Sequence, residues 1–452
     1  MSKVFCISSG QVESKKKNHS FSIKHRYLNY GLLKIASILG ANEYEPIVLH
    51  GLFDSPNKVF ELCKNLGINN ETTPVLISIP SFFALEWAKE FSTLIKNNFP
   101  KKKIIVGGRW VIGSGHEWIK KHLDVDLVIP GVIGNEIVGL VSSLNLDNIN
   151  TRRTYVENKI NYEYLHDRHL FQPSIEVSSG CGMGCSFCEE KSIPLSKLKS
   201  ASLVASEMKS IEVNDGLVKI SPYLESSMFV ATEKWATDLI LERSLIGLDS
   251  MWRVETRVDK LKPKNIHSLA KAGLKVIDLG LESASHIQLN RMNKTDNPQK
   301  YLDAASELIK TAHDNGIWVK VNVLLYPGET YKSLDETLFW LRGIKGYIKG
   351  VSVGPVIVYG VDDEAERYIR ELERYKSKPV SSGLIGVTYL DLSSEIDYEE
   401  SVILSKEISR EFMSGKDFFD LKSFSYFSRE YRYSDFLCDL KGVPQSDVSF
   451  KL

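Results

Sequence analysis

Cys181, Cys185 and Cys188 fall within eight residues and constrain this chain more than any other feature. They form a C-x3-C-x2-C spacing in the glycine-rich stretch 177–190, directly after an alternating run at 174–177. Clustered thiolates ligate soft metals or iron–sulfur clusters. The other cysteines, Cys6, Cys63 and Cys438, are remote in sequence, so no fourth thiolate stands nearby to close the set. Zinc sites usually pair C-x2-C with a second ligand pair, which this stretch lacks. Buried cysteines without a ligand are the bland alternative. Three thiolates on a four-iron cluster leave one iron open to a small chelating ligand, an arrangement suited to an enzyme. Gly180, Gly182 and Gly184 permit tight turns and close approach of a bulky cluster. Phe187 can shield that cluster or stack on a bound aromatic ring.

The C-x3-C-x-aromatic-C pattern resembles the signature of the radical S-adenosylmethionine (SAM) superfamily. The resemblance implies a [4Fe–4S] cluster on Cys181, Cys185 and Cys188, with SAM chelating the fourth iron through its amino and carboxylate groups. Reductive cleavage would yield methionine and a 5′-deoxyadenosyl radical. Such chemistry implies an external electron donor such as flavodoxin or ferredoxin.

At 452 residues the chain predicts two or three domains. Its 43% hydrophobic and 25% charged content describes a soluble globular protein. Lys plus Arg equals Asp plus Glu at 57 each, so nothing global favours nucleic acid or an anionic membrane. No segment approaches the ~20 apolar residues of a membrane span, and the apolar run at the N-terminus is too short for a signal peptide. Clustered free cysteines predict a reducing cytoplasm. Cys6, Cys63 and Cys438 read as small buried hydrophobes.

The first 150 or so residues alternate apolar strands (4–7, 46–49, 75–79, 103–108, 125–130) with helices (32–39, 84–95, 136–143). That pattern predicts an α/β, doubly wound, Rossmann-like domain over 1–143. Ligands bind at the carboxyl ends of such strands, here the loops 78–83, 107–110 and 131–135. Residues 30–40, 106–108 and 131–136 resemble the cobalamin-binding domain that precedes many radical SAM enzymes. The resemblance implies corrin contacts at Ser78, Gly107, Gly108 and Gly131. The D-x-H-x-x-G motif that supplies a cobalt-ligating histidine elsewhere is absent, and neither His25 nor His50 fits it. Cobalamin bound without a histidine ligand, or a domain keeping the fold only, both accommodate that departure.

A polar and aromatic connector covers 144–171. From 172 a second alternation follows, with strands at 174–177, 217–220, 251–255, 276–282, 318–325 and 350–355. Helices fall at 201–212, 233–243, 264–272, 300–315 and 334–344. The economical fold is a (β/α)6 partial TIM barrel over 172–370, with a small helical, aromatic C-terminal cap over 371–452. Active residues then cluster at the carboxyl strand ends. The same resemblance implies SAM contacts at Glu282 and Ser283 in a G-x-E-S strand end, and at Arg257 for the SAM carboxylate. It also implies Glu255 for the ribose or amino group, and an adenine-side turn at Tyr326-Pro-Gly-Glu-Thr330. Ser221 stands where the family often has an acidic group that binds the SAM amine. Surface ion pairs and a helix N-cap are the structural alternatives at these positions.

Together these features predict a cobalamin-dependent radical SAM methyltransferase, acting on an unactivated carbon of a small metabolite or peptide. A radical rearrangement or cyclisation keeps the cluster without methyl transfer. A non-catalytic iron–sulfur sensor or electron carrier is the rival of another class. Neither the substrate nor a catalytic acid or base can be read from the sequence.

Overall fold

Strands buried on both faces need helical crossovers to reach a parallel neighbour, so the alternating pattern dictates parallel sheets. The computed structural model describes residues 1–13, 21–146, 160–214 and 216–452, with only the backbone of 109–114. Residues 147–159 of the connector lie outside the described residues. The described residues group into two compact units. The first comprises 1–169, 359–368 and 381–388, and the second 170–358, 369–380 and 389–452.

In the first unit, β1 (Ser2–Ser8), β2 (Tyr44–His50), β3 (Val75–Ser78), β4 (Ile104–Gly107) and β5 (Leu127–Val128) form one sheet. Its order is β2-β1-β3-β4-β5 and every pairing is parallel. The order reverses between β1 and β3, where a doubly wound sheet opens its ligand crevice beyond the carboxyl ends. Two helices absent from the sequence expectation complete the unit, Pro56–Asn65 and Arg109–His122. The first carries Ser55 as N-cap and Pro56 at its start, and buries Pro56, Val59, Phe60 and Cys63 at helical spacing.

In the second unit, β6 (Ser174–Glu176), β7 (Tyr223–Glu225), β8 (Trp252–Arg257), β9 (Leu274–Glu282), β10 (Trp318–Leu325) and β11 (Gly350–Pro355) run in sequential order, all parallel. This is the (β/α)6 partial barrel, open between β6 and β11. Along β10 burial alternates, with Val319, Val321, Val323 and Leu325 buried. The second barrel strand lies at Tyr223–Glu225 and not at 217–220. Leu217 and Ile220 are buried, but Lys219 between them takes a φ of 55°, which breaks the extended backbone.

The C-terminal cap contains helices Tyr398–Phe412, Gly415–Ser423 and Tyr433–Asp439. Phe427, Phe436 and Phe450 are fully buried, and the Phe418 and Phe450 ring centroids lie 4.5 Å apart. The cap aromatics therefore form a core of their own. Among the described residues no helix is long and apolar enough to cross a membrane.

Candidate active site

The chain leaves β6 at Glu176 and enters the cysteine loop at the carboxyl end of the barrel. Gly180, Gly182 and Gly184 take φ values of 76°, 65° and 74°, a region L-residues with side chains rarely adopt. The loop folds back on its own return segment through Cys181 N–H to the Ile193 carbonyl (2.9 Å) and Gly184 N–H to that of Lys191 (3.1 Å). A Cβ at Gly180 would strike the Pro194 carbonyl. That glycine is thus required by contact with the loop's own return, rather than by room for a cluster.

Cys185 is buried, whereas Cys181 and Cys188 are half-buried. Burial pushes the Cys181 thiol up and that of Cys188 up to about 11, and charge on the neighbouring thiols adds to both shifts. Arg257 and Lys294 oppose the rise at Cys181. The three sulfurs therefore share one environment with two cations beside it, which suits thiolates bound to a cluster. Among the described residues no three Cys, His, Asp or Glu side chains converge on a single ion position. A cluster takes one thiolate per iron and does not need that convergence.

Arg257 closes β8 and is buried. Its Nη1 donates to Cys185 Sγ (3.1 Å), its Nη2 to the Lys294 carbonyl (2.6 Å) and its Nε to Asp259 Oδ1 (3.0 Å). These bonds engage all three guanidinium nitrogens with the protein and turn the group toward the cysteine. Glu282 ends β9 in a left-handed conformation (φ 68°), and its Oε1 accepts from Lys294 Nζ (3.0 Å). Burial alone would lower the Lys294 ammonium, but the Glu282 carboxylate outweighs it and raises it. Lys294 Nζ also lies 5.8 Å from the Phe187 ring, which meets Tyr326 edge-on at 6.4 Å. Cys185, Phe187, Arg257, Glu282 and Lys294 thus form one connected group. Only Lys294 escaped the sequence expectation, and the sequence offers no local signal for it.

Ser283 and Ser221 sit elsewhere than at the carboxyl strand ends around the cysteine loop. Ser283 is buried, its Oγ 3.1 Å from Thr337 Oγ1 and accepting the Ser285 N–H, so it faces the helix Tyr331–Ile344 and not the barrel mouth. Ser221 precedes β7, at the amino end of that strand, where its N–H donates to Gln172 Oε1 (3.1 Å). The carboxyl end of β7 instead presents Glu225. In the Tyr326–Thr330 turn, Glu329 is buried and Thr330 caps the next helix in a capping box with Ser333.

Glu255 lies two residues below Arg257 on β8, beside Asp278 of β9. It keeps exposed surface although protein encloses it, as expected of a side chain lining an interior space. Desolvation and the Asp278 charge push its carboxyl up to about 7. Glu225 is likewise pushed up to about 7 by desolvation, against a Ser174 hydrogen bond and with Glu255 and Glu176 adding to the rise. A carboxyl whose folded pKa is raised holds its proton in the folded state after the unfolded chain has released it. Its contribution is therefore present below about pH 4.5 and is lost as pH rises to about 7. The melting temperature of the protein should fall more steeply between pH 5 and pH 8 than that of an E225Q/E255Q double variant. Parallel pH profiles for the two proteins would contradict this.

The crevice of the first unit is built around Asn29, whose Nδ2 donates to Ser8 Oγ (3.0 Å) and Ser78 Oγ (2.9 Å) at the ends of β1 and β3. Asn29 Oδ1 caps the helix Tyr30–Gly40, and its N–H donates to His50 Nε2 (2.8 Å). Burial lowers His50 to about 4, so it is a neutral ring whose Nε2 is already engaged. Gly107 and Gly131 border open space, whereas Gly108 (φ 142°) is pressed against the Ile79 carbonyl. Ser9 Oγ and Ser81 Oγ, just past β1 and β3, are buried without hydrogen-bond partners. Open backbone and unpartnered hydroxyls fit a large polar ligand over this edge. The sequence expectation passed over Asn29, Ser9 and Ser81; their positions just beyond strands or before a helix were the available signal.

Residues 175–341 match the sequence family described as the radical SAM superfamily. An uncharacterized methyltransferase of Pyrococcus horikoshii, PH0819, is 27% identical over 168 residues, which cover 36% of this chain and 35% of that protein. The match thus spans about a third of that relative's length. Among solved structures, the radical SAM methyltransferase TsrM of Kitasatospora setae, with cobalamin and a [4Fe–4S] cluster bound, superposes with a TM-score of 0.60 at 15% identity. That superposition covers 78% of this chain and 75% of TsrM. The cobalamin-dependent SAM radical enzyme OxsB superposes with a TM-score of 0.57 at 16% identity, over 83% of this chain and 56% of OxsB.

Proposed function

We propose that the protein is a cobalamin-dependent radical SAM methyltransferase, a reading that starts from the match of residues 175–341 to the radical SAM superfamily. The observation that carries the proposal is the placement of Cys181, Cys185 and Cys188 at the carboxyl end of a six-stranded parallel barrel, in a chain that begins with a five-stranded doubly wound sheet. Its likeness in fold to TsrM and OxsB supports the reading.

The three thiols would hold a [4Fe–4S] cluster, and Phe187 with the Lys294–Glu282 pair would border SAM. Ser78, Gly107 and Gly131 would border cobalamin, with Ser9 and Ser81 as the hydroxyls that lack partners. When bound, the cluster supplies an electron to SAM for radical formation, and cobalamin carries the methyl group. The chain's own residues do the positioning. The left-handed glycines fix the loop, Arg257 orients Cys185, and Lys294 neutralises Glu282 so that the mouth carries no unpaired charge there. The substrate is a small molecule or peptide with an unactivated carbon, and flavodoxin or ferredoxin is the donor.

Anaerobic purification with hydroxocobalamin, followed by iron and cobalt counts, tests the proposal. About four irons per chain with stoichiometric cobalt are expected. Incubation with SAM and a reductant should release 5′-deoxyadenosine, together with S-adenosylhomocysteine once a substrate is found. Iron without cobalt would leave a SAM-radical rearrangement. Iron without SAM cleavage would leave an iron–sulfur sensor.

A further inference from the structure

We propose that Arg257 is a positioning residue that sets the reduction potential of the cluster through its hydrogen bond to Cys185, an inference that rests on the cluster assignment above. The guanidinium is buried, and each of its three nitrogens has a defined partner. Asp259 holds Nε at 3.0 Å and the Lys294 carbonyl holds Nη2 at 2.6 Å. Nη1 is left aimed at Cys185 Sγ at 3.1 Å. The Tyr301 ring lies 5.8 Å from Arg257 Cζ, and Tyr301 is itself tied to the Gly280 carbonyl at 2.8 Å. A donor held from three directions cannot turn away without leaving a buried group unpaired.

Among Cys181, Cys185 and Cys188, only Cys185 is buried. A charge-assisted N–H···S bond there acts where solvent screens least. Hydrogen bonds and positive charge at a ligating sulfur draw off electron density and favour the reduced cluster. Arg257 therefore makes the cluster easier to reduce by a weak donor, and among the described residues neither of the other two sulfurs accepts a hydrogen bond from a charged side chain. Cys188 Sγ receives a neutral backbone N–H from Glu190 at 3.4 Å, and Cys181 Sγ has a backbone hydrogen bond at Met183 and meets Met228 Sδ at 3.9 Å.

The test compares wild type, R257K and R257Q, each reconstituted with iron and sulfide without SAM. Iron is counted first, and the cluster is then titrated with dithionite and followed by electron paramagnetic resonance. At a fixed potential the reduced-to-oxidised ratio should fall about tenfold in R257Q, equivalent to ~59 mV for a one-electron couple. R257K, which keeps the charge but loses the fork, should fall between. Equal potentials in every cluster-bearing variant would overturn the proposal. Loss of the cluster from both variants would overturn it too, since Arg257 would then be holding the loop and not tuning the cluster. A wild type that takes up no iron would instead overturn the cluster assignment.

Discussion

Cys185→Ala is expected to reduce bound iron from about four per chain to near zero and to abolish SAM cleavage. Cys185 is the buried member of the trio and the one that Arg257 engages. Without its sulfur the cluster would lose its innermost anchor. Cys181 and Cys188 sit on a part of the loop that is more open to solvent, and two thiolates alone cannot hold three irons. The fold should survive, because the loop is held by backbone bonds such as Cys181 N–H to Ile193 and Ser186 N–H to Met292. Exchanging a small buried thiol for a methyl costs roughly 1 kcal/mol. Circular dichroism should therefore stay unchanged while iron is lost. Cys438→Ala is the matched control, since that cysteine, contrary to the expectation that it is buried, is exposed and remote in sequence from the loop; it should retain full iron. Retention of the cluster in Cys185→Ala would mean that this cysteine is not a ligand.

Asp278→Asn should lower the unfolding free energy by about 3–5 kcal/mol, the usual cost of stranding a buried charge. Asp278 lies between Arg253 and Lys320 inside the barrel. Its carboxylate accepts from Arg253 Nε, from Arg253 Nη2 at 2.7 Å and from Lys320 Nζ at 2.6 Å. Burial alone would raise the Asp278 carboxyl, but the two cations hold it well below the usual carboxylate range. Arg253 is fully buried, donates Nη1 to the Leu421 carbonyl at 2.6 Å and stacks 4.8 Å from the Tyr426 ring. It thereby ties the barrel to the C-terminal cap. A neutral amide at 278 would leave two cations facing each other in a desolvated site. Urea denaturation measures the loss. The exposed pair Lys234–Asp238 is the contrast, and Asp238→Asn should change stability by no more than about 1 kcal/mol. An Asp278→Asn loss no larger than that of Asp238→Asn would show that the barrel interior tolerates unpaired charge.

The fold was largely legible because it is written in local pattern. Strand-to-strand alternation announced both parallel sheets, and the cysteine spacing announced the site. Legibility ended where a residue's role depends on which end or face of a strand it occupies. The apolar run 217–220 looks like a strand, yet the left-handed backbone at Lys219 moves β7 to Tyr223–Glu225. That shift leaves Ser221 at the amino end and brings Glu225 to the carboxyl end. Ser283 follows a glutamate that does face the site, but the left-handed turn at Glu282 sends its hydroxyl toward Thr337 instead.

What the sequence determined by itself was the loop that gathers three thiols, the two alternating sheets and the aromatic-rich character of the C-terminal cap. These depend on residue spacing along the chain, which backbone geometry converts directly into position. Only the tertiary structure decided the partners. The register between β8 and β9 shifts at Trp252 and Arg253, setting Glu255 beside Asp278, with Arg253 close enough to bond it. It also decided that Arg257 spends its donors on Asp259, Lys294 and Cys185. A single charged residue is compatible with many partners, and what selects among them is the desolvation cost of leaving a buried group unpaired, which exists only once the chain has closed around it.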